Sequence, residues 1–135
     1  MKPNDTLLKL RRFEVNEKQQ KVADIEMMIA DFKRIADDLT RQIEAEEEAS
    51  GIRDVRHFAY PTYAKAAAQR RSNLSASIGD LEQKLGEARA QLADALEELK
   101  KSELASERST GEHTIRAPHA IAGGLRRLEP AGKGI

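Results

Sequence analysis

Cysteine and tryptophan are absent from this chain, and aromatic residues make up only 4% of it. Without thiols there is no disulfide framework, no thiolate zinc site and no cysteine nucleophile. So few large apolar side chains suit a thin seam between two helices better than a thick multilayer core. Net charge is missing too, because 23 basic residues balance 23 acidic ones. Phosphate binding needs a one-sided basic surface, so the balance argues against nucleic acid as the main partner. No apolar run approaches the ~20 residues of a membrane span, which argues against direct membrane insertion. The N-terminus, Met1-Lys2-Pro3-Asn4-Asp5, leads into charged sequence with no apolar signal core. The chain reads as soluble and cytoplasmic.

What is present is long-helix material. Charged residues make up 34% of the 135, enough chain for one domain, and Ala, Glu, Leu, Lys, Arg and Gln dominate its middle. Between Asp5 and Ala49 there is neither Gly nor Pro. Leu8, Val15, Val22, Ile29, Ala36 and Ile43 recur every seven residues, and Ile25, Phe32 and Leu39 follow three behind. These are the a and d sites of a coiled-coil seam. Asn4, Asp5 and Thr6 offer N-caps, and Ser50-Gly51 offers a stop, since Gly takes the left-handed conformation cheaply. A second run, Leu74, Ile78, Leu81, Leu85, Ala88, Leu92, Ala95 and Leu99, alternates four and three. Upstream, Ala64 and Ala67 continue it with small residues; downstream it reaches Ser102 and Ser106 and fades. Pro61 suits a first helical turn, where its missing N–H costs nothing.

The expectation is an all-α fold, a long antiparallel two-helix coiled-coil hairpin over 1–107. Its helices span about 5–49 and 61–107, joined by a connector at 50–60. Residues near Ile25 would face Leu85 and Ala88, and residues near Ile43 would face Ala67. Glu46, Glu47 and Glu48 crowd the carbonyl end of the first helix, where the dipole disfavours them, unless Arg53 and Arg56 fold back. From 108 onward Gly, Pro and Ser without an apolar period predict a flexible, mildly basic, disordered tail. Ala120–Leu128 could form a turn of helix on a partner.

Candidate chemistry is sparse. His57, His113 and His119 are the only histidines, and none has a second ligand at metal spacing. The Glu46–Glu48 cluster reads as a solvated helix end rather than a carboxylate pair in a cleft. Asn73-Leu74-Ser75 matches a glycosylation acceptor, but no signal sequence accompanies it. No phosphate-binding Gly loop precedes a helix. The expectation is no enzyme activity, no cofactor and no metal.

Three departures from the heptad rules say more. Arg11 and Lys18 occupy d sites while Leu7, Leu10 and Phe13 lie off the seam. Either the ends fray, with Glu98 or Glu103 pairing the basic side chains, or this open end inserts into another protein. At the turn, His57, Phe58, Tyr60 and Tyr63 gather beside Arg53, Arg56, Arg70 and Arg71. They either cap the small core or anchor an interface. Gly79 and Gly86, with Ser72 and Ala93, make a smooth outer stripe, which is either tolerated weakness or room for a partner helix.

The string His57-Phe58-Ala59-Tyr60-Pro61-Thr62-Tyr63-Ala64-Lys65-Ala66-Ala67-Ala68-Gln69-Arg70-Arg71 resembles the flagellar export protein FliJ family. So does Ile25-Glu26-Met27-Met28-Ile29-Ala30-Asp31-Phe32-Lys33-Arg34. The resemblance spans about residues 1–107; its aromatic-Pro-Tyr-Ala segment is fairly specific, and the rest is generic coiled coil. It implies a soluble component of the flagellar type III export apparatus, held peripherally at the cytoplasmic side of the inner membrane. Members of the family bind the export ATPase FliI and its regulator FliH, favour assembly of the ATPase ring and contact the gate protein FlhA. They are also linked to recycling of export chaperones, and their fold is similar to the stalk of rotary ATPases. By that likeness Leu7, Leu10, Arg11 and Phe13 at the open end would meet the ATPase. Phe58, Tyr60 and Tyr63, with Arg70 and Arg71, would lie toward the gate. These two assignments follow position along the hairpin, not matched motif residues. A generic coiled-coil scaffold or homodimer, and a nucleic-acid accessory using the basic tail, remain the alternatives.

Overall fold

A strict apolar heptad buries its a and d side chains only when a second helix covers them, and this chain supplies that helix itself. The computed structural model describes residues 3–116, and side chains from 4 to 109. Among them are two helices and no strand: α1, Pro3–Ser50, and α2, Thr62–Arg116. The all-α helical hairpin expected from the heptads is the observed fold. The described residues divide into two compact units, one over 16–93 and one joining 3–15 to 94–116.

Within Asn16–Ala93 the two helices run antiparallel and bury two clusters. One joins Ile25 and Ile29 of α1 to Leu81 and Ala88 of α2, flanked by Val22, Phe32, Ile78 and Leu85. The other joins Leu39 and Ile43 to Tyr60, Ala64 and Ala67, with Ile52, Ala68 and Leu74 against it. These are the facing sets expected from the sequence. Ala64 is 0% exposed, so its methyl group marks a place where only a small side chain fits between the helices. Across the flanks of the seam, Arg89 bonds Glu26 at 2.9 Å and Lys33 pairs with Glu82 at 3.9 Å. Both pairs are exposed, so they contribute more to register than to stability.

In the other unit Val15 and Ala95 are buried. Ser102 and Ser106 are half-buried at seam positions, so the register continues there on small polar side chains instead of ending.

Helix limits depart from the expectation at three places. α1 starts at Pro3, which puts Asn4, Asp5 and Thr6 inside the first turn rather than at the cap. Pro is well placed there because that N–H has no intrahelical acceptor in any case. α2 continues through Ser109-Thr110-Gly111 to Arg116, so the boundary expected after 107 falls within a helix. A single Gly costs a helix only about 1 kcal/mol, and no Pro intervenes before Pro118. The tail expected from 108 onward, with its Ala120–Leu128 segment and His119, lies outside the described residues after 116.

The turn begins at the expected Ser50-Gly51 stop, where Gly51 takes φ +73°. Its N–H donates to the Glu47 carbonyl at 2.9 Å, closing α1 by a left-handed cap. The Ser50 hydroxyl then accepts from the Ile52 N–H at 3.1 Å. Third, Pro61 precedes α2 rather than starting it, and its carbonyl accepts the first helical bond, from Lys65 N–H at 3.1 Å.

Candidate functional site

The connector 51–61 positions most of the turn residues singled out in the sequence. It is a chain of local turns: the His57 N–H donates to the Asp54 carbonyl and the Tyr60 N–H to the His57 carbonyl, both at 3.0 Å. The Asp54 carboxylate accepts from the Arg56 N–H at 3.0 Å, an Asx turn that holds the backbone without a helix. His57 Nδ1 accepts the Ala59 N–H at 3.0 Å, which leaves any ring proton of the neutral tautomer on Nε2. The His57 ring stacks on Phe58 with centroids 4.8 Å apart.

These turns separate the aromatic group that the sequence presented as one set. Tyr60 points inward, is buried, and seals the cluster of Leu39, Ile43, Ala64 and Ala67. Phe58 points outward and is 96% exposed. Tyr63 is also exposed, and its hydroxyl meets the Gln42 amide oxygen at 3.0 Å. Capping the core and facing solvent are therefore divided between neighbours. The basic residues divide likewise: Arg71 donates to Thr40 Oγ1 at 3.1 Å across the seam, while Arg70 is exposed.

Glu47 organises this region. Its carboxylate accepts the Tyr60 hydroxyl proton at 2.8 Å and pairs with Arg53 at 3.7 Å. Of the two arginines expected to fold back over the acidic helix end, Arg53 does so. The bond to Glu47, helped by burial and by the carboxylate's charge, raises the Tyr60 pKa above its ordinary value, against a smaller lowering by Arg71. The folded chain thus keeps a proton that the unfolded chain loses. The stability from this bond is present in full below pH about 10 and is lost as pH rises through the folded value. The chain has two tyrosines. In an alkaline ultraviolet titration, Tyr60→Phe is expected to remove the tyrosinate signal that appears above the ordinary tyrosine range. An unchanged late phase in that variant would contradict the assignment.

In the other unit, Leu7, Leu10 and Phe13 are all exposed, Phe13 at 58%. Leu8, beside them, is half-buried at its heptad site. Arg11 pairs with Glu14 of its own helix at 3.4 Å, and its Nε is buried without a hydrogen-bond partner. The pairing of Arg11 with Glu98 or Glu103, one of the two readings of this end, is not present among the described residues, and Glu98 pairs with Lys101. A neighbour one turn away on the same helix needs no chain closure to reach Arg11, so it wins locally.

Elsewhere along α1, Met27, Met28 and Ile35 are exposed. Met28 edges an open groove of about 400 Å³ beside Ile25, Leu81 and Ala88, rimmed by Lys21, Lys84 and Glu87. A Cβ added at Gly79 or Gly86 would meet nothing within 4 Å, so the outer stripe of α2 is open and no close approach within this chain requires glycine there. Among the described residues no group of three or more His, Asp or Glu side chains could hold a metal ion. No described helix is long and apolar enough to cross a membrane. The arrangement presents apolar and charged contact surfaces on helices that have already closed their own seam.

No family model, no curated protein and no solved structure matches the chain.

Proposed function

We propose that this chain is a non-enzymatic coiled-coil stalk of the bacterial flagellar type III export apparatus. In this reading it binds the export ATPase FliI with its regulator FliH and promotes assembly of the ATPase. It also links that ATPase to the gate protein FlhA, at the cytoplasmic side of the inner membrane, and can escort export chaperones. Hydrolysis belongs to the partner. The observation that supports the reading is the division of apolar residues between seam and surface. Ile25, Ile29, Leu39 and Ile43 are buried against α2, whereas Leu7, Leu10, Phe13 and Phe58 are left exposed. A hairpin that only held itself together would gain nothing from these four in water. They fall at the positions along the hairpin that the likeness to a rotary stalk gives to the ATPase and the gate.

The test is a cognate export ATPase titrated with purified chain. The chain alone is expected to hydrolyse no ATP, and to raise the ATPase's rate or oligomerisation when added. A flat response across the concentration series would sink the proposal. Sedimentation equilibrium of the chain alone separates it from a homodimerisation module, for which a stable dimer is required.

A further inference from the structure

The connector and the first turn of α2 enclose an open concavity of about 540 Å³, lined among others by Val55, Arg56, His57, Phe58 and Lys65. Its lining holds no carboxylate. The two acids that engage this connector are already committed, Asp54 to the Arg56 N–H and Glu47 to Tyr60 and Arg53. Arg56 and Lys65 have no ion pair among the described residues. Both side chains are pure hydrogen-bond donors, so only an acceptor can complete them. Beside them stand two apolar groups open to solvent, Val55 at 59% exposure and Phe58, which stacks on His57, at 96%.

We infer that this concavity docks an acidic peptide segment carrying an apolar anchor: its carboxylates meet Arg56 and Lys65, and its aliphatic or aromatic side chain covers Phe58 and Val55. Charge complementarity selects the occupant. Two cations with no ion pair, in a lining that holds no acid, attract carboxylates and repel basic segments. The aromatic wall adds a requirement that charge alone does not impose, because exposed Phe is satisfied only by apolar cover. A concave surface admits a convex chain, whereas a flat lipid surface would reach Phe58 and leave the hollow unfilled. The connector is held by its own turns, so little ordering is lost on binding. The inference rests on the turn-end half of the proposed function, that the connector meets a protein, and is independent of the ATPase half.

The experiment uses the full chain and fluorescein-labelled synthetic peptides of about ten residues. One alternates Asp and Glu around a central Leu-Phe pair, one is all Glu, and one replaces every acid with Lys. Fluorescence anisotropy should show the anchored acidic peptide binding at least about tenfold more tightly than the all-Glu peptide, with the Lys peptide not binding. Phe58→Ala and the double variant Arg56→Glu/Lys65→Glu should each weaken binding about tenfold or more, with circular dichroism unchanged, since all three side chains are exposed. Equal affinity of the anchored and all-Glu peptides, or no loss in the double variant, overturns the inference. So does binding to anionic phosphatidylserine vesicles with none to the acidic peptide, which would make the turn a lipid contact. The double variant should still stimulate the export ATPase. Absent stimulation by the unmodified chain would refute the ATPase role while leaving peptide binding to report on the concavity.

Discussion

Leu39→Ala is expected to lower the stability of the turn half by about 2–4 kcal/mol. Leu39 is 3% exposed and shares its cluster with Ile43, Tyr60, Ala64 and Ala67. Two of those four neighbours are alanines, too short to reach into the space, so the cavity closes only in part. The seam is only two helices thick, and the entropy of ordering a long helix is set against a narrow strip of burial. A deletion of this size should therefore reduce the midpoint of a circular dichroism melt by about 10 °C or more. Hydrogen exchange should rise first at the amides around Ile43 and Ala67. Met27→Ala is the control, because Met27 is exposed and substitutions at such places fall within about 0.5 kcal/mol. Equal midpoints for Leu39→Ala and Met27→Ala would show that the cluster at the turn is not what holds the helices together.

The seam was legible in the sequence because burial in a coiled coil depends on period alone. Val15, Ile25, Ile29, Leu39 and Ile43 stand out by spacing, and each is buried. Ser50-Gly51 was legible for a similarly local reason, since a left-handed residue that ends a helix is almost always Gly. Less legible were features set by where a bond reaches. Nothing in the spacing of Phe58, Tyr60 and Tyr63 says which faces inward. That depends on the path of the connector, which brings the Tyr60 hydroxyl to Glu47, thirteen positions earlier. Arg11 fits a d site and suggests a partner across the seam, yet the acid one turn along its own helix takes it. The length of α2 is hidden in the sequence because Ser109-Thr110-Gly111 reads as a break. Weak helix formers lower local stability without stopping a helix already propagating, and propagation is far cheaper than nucleation. The connector concavity had a partial signal in Arg53, Arg56 and Phe58. Its sign as a surface was hidden, because Arg53 is neutralised by Glu47 and Arg56 is not.

Replacing Leu7, Leu10 and Phe13 together with Ala should weaken stimulation of the export ATPase about a hundredfold while leaving the isolated chain's melting midpoint nearly unchanged. The two halves of that expectation have one cause. All three side chains are exposed, so the free chain loses little buried area when they are shortened, and Ala is the strongest helix former. At successive steps of three they fall on one side of α1, within about 120° of arc. A partner surface can therefore cover them together. Covering even part of each side chain is worth about 1 kcal/mol, so losing all three weakens the complex roughly a hundredfold. In the stimulation assay this appears as a shift of the half-maximal chain concentration by about two orders of magnitude, with the ATPase's basal rate untouched. Phe58→Ala should leave that concentration unmoved, because Phe58 belongs to the connector surface. A triple variant that stimulates as well as the unmodified chain would remove this face from the proposed contact. A variant that fails to stimulate but has also lost its helical signal would place these side chains in the stability of the chain itself, contrary to their exposure.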